Sequence, residues 1–243
     1  MRAFVIAPVV WAAFISGQAQ EAPKPEITVE QIMNKAIEAA GGRAAMEKMT
    51  SYIATGTVDI SALGITANNE TYAKAPDKRL SVTTIEGLGE IVQGCDGKVA
   101  WSKEPHGGLK EITGEMAEQT RREAVFNQAL EWKTLYPQSE VTGKDKSAGG
   151  RECWMVKLTP PKGRPVMHCY DTESFLLTKA VNPGPNGSDI PVELSDYKDT
   201  GVGVKAPMTI KVAMPNLGEM TIRYREVKPN AEIDDARFKK PAE

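Results

Sequence analysis

The strictest constraint on this chain lies between Val192 and Met220, where the sequence runs VELSDYKDTGVGVKAPMTIKVAMPNLGEM. Within it, Met208, Ile210, Val212 and Met214 alternate with Thr209, Lys211 and Ala213. A period of two belongs to a strand with one covered face and one wet face. Residues Gly201 to Ala206 match the letters of a dinucleotide fingerprint. Phosphate binding needs a helix N-terminus after those glycines, and here Pro207 opens a strand, so the glycines read as a tight hairpin turn.

The same alternation recurs along the chain. It marks strands at Ser51 to Ile60, in the return run TANNETYAKA, at about Arg79 to Ile85 and Glu90 to Gln93, and in the short run KVAWS. It resumes at about Gln138 to Gly143, Glu152 to Thr159, Pro165 to Asp171, Ser174 to Val181, Ile190 to Tyr197, Pro207 to Met214 and Glu219 to Val227. Turns rich in Gly, Pro and Asn separate them (SALG, SAGG, PKG, NPGPNG, DTGVG, NLG). Two segments break the pattern. Thr28 followed by Gln31 forms a capping box, Ile32, Met33, Ala36, Ile37 and Ala40 follow at helical spacing, and Gly41-Gly42 end the helix. Between Thr113 and Lys133 the chain is rich in helix formers, with Val125, Phe126, Ala129 and Leu130 as its apolar residues. One or two helices there would cover a curved sheet. Roughly ten antiparallel strands with few helices make an α+β fold, a curved sheet forming an unclosed barrel.

Residues 1–19 carry one basic residue, an apolar run from Ala3 to Ile15, and the small residues Gly17 and Ala19, the pattern of a secretory signal peptide cut after Ala19. A membrane anchor is the other reading, although the run is shorter than the ~20 apolar residues a spanning helix needs. Residues 20–27 form a Pro-containing linker, and 28–243 a single domain. The formal net charge of −2 points to neither nucleic acid nor an anionic membrane as partner. Three cysteines in an exported chain permit one disulfide and leave one thiol over. Cys153 and Cys169 lie on two strands joined by PPKGRP, so that either a cross-strand bridge or two half-buried thiols fits, and Cys95 remains alone.

No catalytic signature is present. There is no GxSxG elbow, only His106 and His168 could serve as a histidine base, and no CxxC or HxxxH spacing offers a metal site. The residues call for no enzyme activity, no cofactor and no metal. His168 reads as a hydrogen-bonded histidine of the sheet. What remains is an apolar inventory of shared parity: Trp154, Val156, Leu158 and Tyr170, with Met208, Ile210, Val212 and Met214. Such residues line either a ligand cavity or a filled core.

The succession of elements also resembles a known family. An early helix ends in AAGG, followed by SYIATGTVDI, YAKAPDKR, GCDGKVAW, a helical insertion, YDTESFLLTKA and DYKDTGVGVKAPMTI. Over about residues 28 to 240 this is similar to the bacterial outer-membrane lipoprotein-sorting family of periplasmic carrier and receptor-like proteins. The resemblance implies an unclosed antiparallel barrel with helices as a lid and acyl chains held in its apolar interior. The expected function is therefore that of a soluble periplasmic or secreted envelope protein, without a membrane span once the leader is removed, whose partner is a lipid or an acylated lipoprotein. The alternative is a solid barrel that binds envelope proteins.

Overall fold

The computed structural model describes residues 26–147, 149–214 and 218–242. The expected signal peptide, most of the expected linker, Ala148, residues 215–217 within the expected NLG turn region, and Glu243 lie outside the described residues. The helices are α1 (Val29–Ala39), α2 (Arg43–Lys48), α3 (Gly114–Ala124) and α4 (Trp132–Leu135). The first strands are β1 (Ser51–Ile60), β2 (Ile65–Lys74), β3 (Lys78–Ile85), β4 (Gly89–Cys95), β5 (Ala100–Glu104) and β6 (Gly108–Glu111). After α4 come β7 (Gln138–Lys146), β8 (Glu152–Thr159), β9 (Val166–Asp171), β10 (Leu177–Pro183), β11 (Asp189–Asp199), β12 (Lys205–Met214) and β13 (Gly218–Pro229).

All thirteen strands form one antiparallel sheet in the order β6-β5-β4-β3-β2-β1-β13-β12-β11-β10-β9-β8-β7. The described chain is thus mostly β with a few short helices, and the sheet does not close: β6 and β7 are its edges. The first and last strands pair at its centre. That pairing carries a bulge beside Gly56, where a Cβ would lie 2.0 Å from the Arg223 carbonyl oxygen. Only glycine permits so close a backbone approach.

The structure holds thirteen strands, one more than the twelve runs marked in the sequence and summed there as roughly ten. The short β6 lacks any alternation that would announce it, being Gly-Leu-Lys-Glu. Strand β10 begins at Leu177 rather than Ser174 because Asp171 forms a turn, accepting hydrogen bonds from the backbone of Glu173 (3.2 Å) and Ser174 (2.8 Å). The central helix also differs. It ends at Ala124, and Val125 to Leu130 run through turns instead of forming its apolar face. Its buried face consists of the small residues Ala117, Thr120 and Ala124, which allow it to lie close to the sheet.

Cross-strand partners share a face of a sheet, so the registers carry one set of residues from edge to edge. From Val58 the set runs through Ile222, Ile210 and Leu194, then through Val192 to Ala180, His168 and Val156. We call this the inner face, because both long helices pack on it. The Thr28 hydroxyl caps α1 by accepting from Gln31 N–H, and the Gln31 side chain accepts from Thr28 N–H. Ile32, Met33 and Ala36 of α1 join Trp154, Val156, Leu158, Val166 and Tyr170 in one buried cluster. The two Gly-rich motifs meet where α1 ends. The Ala40 carbonyl accepts from Lys205 N–H, and a Cβ on Gly41 would stand 1.9 Å from the Gly203 oxygen. On the opposite face Tyr72, Leu80 and Trp101 are covered by Ile233 and Phe238 of the C-terminal segment.

Candidate functional site

The eight apolar residues singled out in the sequence, Trp154, Val156, Leu158, Tyr170, Met208, Ile210, Val212 and Met214, all take inner-face positions. Their surroundings divide them. Val156 and Leu158 are 0% and 1% exposed beneath α1, and Trp154 and Tyr170 belong to the same packed cluster. Met208 is buried as well, whereas Ile210, Val212 and Met214 are only half-buried. Leu194 opposite Ile210, and Ile222 and Met220 on β13, are half-buried beside them. These neighbours were legible from the same alternation in β11 and β13, where Met220, Ile222 and Tyr224 interleave with Thr221 and Arg223. The middle of the inner face is therefore an apolar strip that neither α1 nor α3 covers fully.

His168 lies at the edge of the packed cluster, with Nδ1 3.2 Å from the Tyr170 hydroxyl. Burial among the strands lowers its pKa from 6.5 to about 4, so that the ring is neutral at pH 7. Burial likewise pushes the Tyr170 and Tyr197 phenols upward, and both stay protonated. The Tyr197 hydroxyl donates to the Leu177 carbonyl at 2.7 Å.

The inner face of the N-terminal strands is polar. Asn69 is buried and donates to Ser81 Oγ (3.3 Å) and Thr83 Oγ1 (3.1 Å), while Thr71 Oγ1 lies 3.2 Å from the Tyr224 hydroxyl. Arg79 stands in the same face, opposite Ala73 on one side and Cys95 on the other. No periodicity in the sequence marked it, because an arginine among alternating residues reads as an outward charge. Above it α3 and the following turn are held at several points. The Arg122 guanidinium donates to the Lys162 carbonyl (3.0 Å), Glu115 accepts from Arg164 N–H (2.9 Å), and the Pro76 carbonyl accepts from Phe126 N–H (2.9 Å). A cavity of about 110 Å³ remains beneath, lined among others by Tyr52, Arg79, Glu123 and Phe126. A larger hollow of about 670 Å³, lined by Lys74 and residues Asn230 to Asp234 among others, lies beside the C-terminal segment. Neither is lined by the eight apolar residues.

Cys153 and Cys169 are bonded, with Cα atoms 5.3 Å apart. They are diagonal neighbours, since Cys153 stands opposite Asp171 and Cys169 opposite Met155. Cys95 is free and buried. No described helix is long and apolar enough to cross a membrane.

No family model and no curated protein matches the sequence, but solved structures match its fold. A LolA superfamily protein from Nitrosomonas europaea superposes with a TM-score of 0.60 at 15% identity, covering 88% of this chain and 98% of the other. An outer membrane lipoprotein-sorting protein domain from Vibrio parahaemolyticus, described as putative in function, gives 0.57 at 14%, covering 86% and 97%. The fold of this chain is the one these two structures share. A DUF1329 family protein from Desulfovibrio piger shares it as well, with a TM-score of 0.58 at 13% identity over 87% of this chain and 97% of that one. At such identities the likeness is one of architecture. The inner face of this chain divides into a packed apolar part, an open apolar strip and a polar part.

Proposed function

We propose that this protein is an exported carrier of the bacterial cell envelope that holds an acyl chain of a lipid or lipoprotein against its inner face. The observation that carries the reading is the strip of Ile210, Val212, Met214 and Ile222, apolar and inward yet only half-buried. An inner face that needed only to fill itself would have these side chains packed like Val156 and Leu158. An acyl chain laid along them gains about 0.8 kcal/mol per buried methylene, so about ten methylenes give roughly 8 kcal/mol, in the micromolar range. The lipoprotein-sorting fold supports the reading. So does the Cys153–Cys169 bond, which belongs to an oxidising compartment such as the periplasm or the exterior. Non-catalytic binding accords with the absence of a reactive constellation in the sequence.

Val212→Asp tests this reading better than a change at buried Met208, because a half-buried position tolerates a carboxylate without unfolding the domain. The variant should keep the wild-type circular dichroism and lose uptake of a fluorescent fatty acid at least tenfold (about 1.4 kcal/mol). Unchanged uptake by a folded variant would remove the strip from the site. Failure of the delipidated wild-type chain to take up any acyl probe would remove the carrier function.

A further inference from the structure

The apolar strip accounts for a tail and leaves His168 without a role. One row of cross-strand partners crosses the inner face from β8 to β13: Val156, His168, Ala180, Val192, Val212 and Met220. Val141 on β7 and Ile60 on β1 extend it at either end, so His168 is the only polar side chain in that row. Leu194, Ile210 and Ile222 form the next row, two residues along the same strands and about 7 Å away. The imidazole therefore stands in line with the half-buried residues of the strip.

The ring is only half satisfied. Nδ1 lies 3.2 Å from the Tyr170 hydroxyl, while Nε2 meets no hydrogen-bonding partner among the described residues. No buried side-chain nitrogen or oxygen among those residues lacks a partner, so Nε2 is open to whatever occupies the inner face. The ring itself is half-buried, and the residue beside it on β10 is the small Ala180. In either tautomer Nε2 offers one hydrogen bond, as a donor to a carbonyl or as an acceptor from a hydroxyl. An apolar side chain would continue the row without the cost of burying an imidazole, so packing alone gives no reason for a histidine here.

The surroundings decide the charge of the group that can meet it. Burial alone sets the state of the imidazole, with no charged neighbour contributing, and the ring is neutral at pH 7. A carboxylate placed there would leave water without a cation to pair with, which is costly, whereas an ester or hydroxyl needs only the one hydrogen bond. The reach also fits. Strands β9 and β12 are three spacings apart, roughly 14 Å, which is shorter than a palmitoyl chain.

We propose that His168 is the head-group residue of the acyl site: Nε2 binds the uncharged ester or hydroxyl oxygen at the head of an acyl chain whose methylenes lie across Val192 and Val212. This rests on the reading of the inner face as an acyl-chain site. It adds that the cargo is an uncharged acyl ester of the monoacylglycerol type rather than a free fatty acid.

The test titrates the mature, delipidated chain at pH 8 with 1-monopalmitoylglycerol and with palmitate, by calorimetry. The ester should bind at least about tenfold tighter than the acid, which carries the same tail with a charged head. His168→Leu, which continues the apolar row, should weaken the ester about fivefold, as expected for one hydrogen bond, and leave palmitate nearly unchanged. His168→Gln, which keeps a hydrogen-bonding group, should retain most of the ester's affinity. Equal losses for both ligands in His168→Leu would mark a packing role and overturn the assignment. Equal or weaker binding of the ester by the wild type overturns the head-group site and leaves the carrier reading intact. Binding of neither ligand overturns both. Should His168→Leu not fold, as judged by near-ultraviolet circular dichroism, the wild-type comparison of ester with acid still decides the matter.

Discussion

His168 shows how one inward residue ties the fold to pH. Its folded pKa of about 4 lies below the ordinary 6.5, so between these values the unfolded chain binds more protons than the folded one. The stability contributed by the neutral ring is complete above pH 6.5 and is lost as pH falls toward 4. The shift corresponds to at most about 3 kcal/mol, because the group is only half-buried and water relaxes part of the penalty. Urea unfolding at pH 7, 5.5 and 4.5 should therefore show the wild type losing more stability than His168→Gln across this window. Parallel losses in the two proteins would contradict it. Asp145, Asp171 and Asp235 act in a lower window. Lys179 holds Asp145 below the usual carboxylate range, hydrogen bonds to Ser174 together with Arg151 overcome the effect of burial at Asp171, and Lys74 and Lys78 hold Asp235 at about 2. Their contributions disappear only as pH falls below the ordinary 3.8.

Among the elements, the β8–β9 hairpin joins the disulfide on one face to the packed cluster on the other. Val156 and Leu158 point toward α1, while Cys153 and Cys169 lie on the opposite side of the same strands. The bridge spans a separation of 16 residues, and closing a loop of that size stabilises by about 3 kcal/mol when the effect is entropic. The double variant Cys153→Ala/Cys169→Ala should lose about that amount in urea unfolding and keep its fold. Alkylation without reductant should label only Cys95, after unfolding. Labelling of all three thiols would show the bridge to be absent. Parity in the sequence placed the two cysteines on one face. Their diagonal offset depends on how β8 slides against β9, and no local pattern encodes that register.

At the scale of the molecule, the chain runs outward from β1 to one edge, crosses by α3 and α4, and returns from the other edge to pair β13 with β1. The crossing segment therefore lies over the opening that the sheet leaves between β6 and β7. If α3 gates the inner face, its attachments to the β8–β9 turn set the rate of entry. Glu115→Ala combined with Arg122→Ala removes the contacts to Arg164 N–H and the Lys162 carbonyl. Stopped-flow uptake of a fluorescent fatty acid should become several-fold faster, with a stability loss of about 2 kcal/mol or less for two partly exposed interactions. Unchanged uptake rates would mean that acyl chains enter elsewhere.

The sequence by itself determined the elements and the faces. Alternation in β1, β8, β9 and β12 and the Thr28 capping box are local patterns whose periods follow from backbone geometry, whatever the chain packs against. The inward set of Trp154, Val156, Leu158, Tyr170, Met208, Ile210, Val212 and Met214 was legible for that reason. The tertiary structure alone decided which of them α1 buries and which stay open, because that depends on where an 11-residue helix lands on a thirteen-stranded sheet. It also decided that Arg79 faces inward beneath α3. The pairing of the first strand with the last sets Tyr224 opposite Gly56, on the face that also carries Tyr52 and Arg79, and such long-range pairing leaves no periodic trace in the chain.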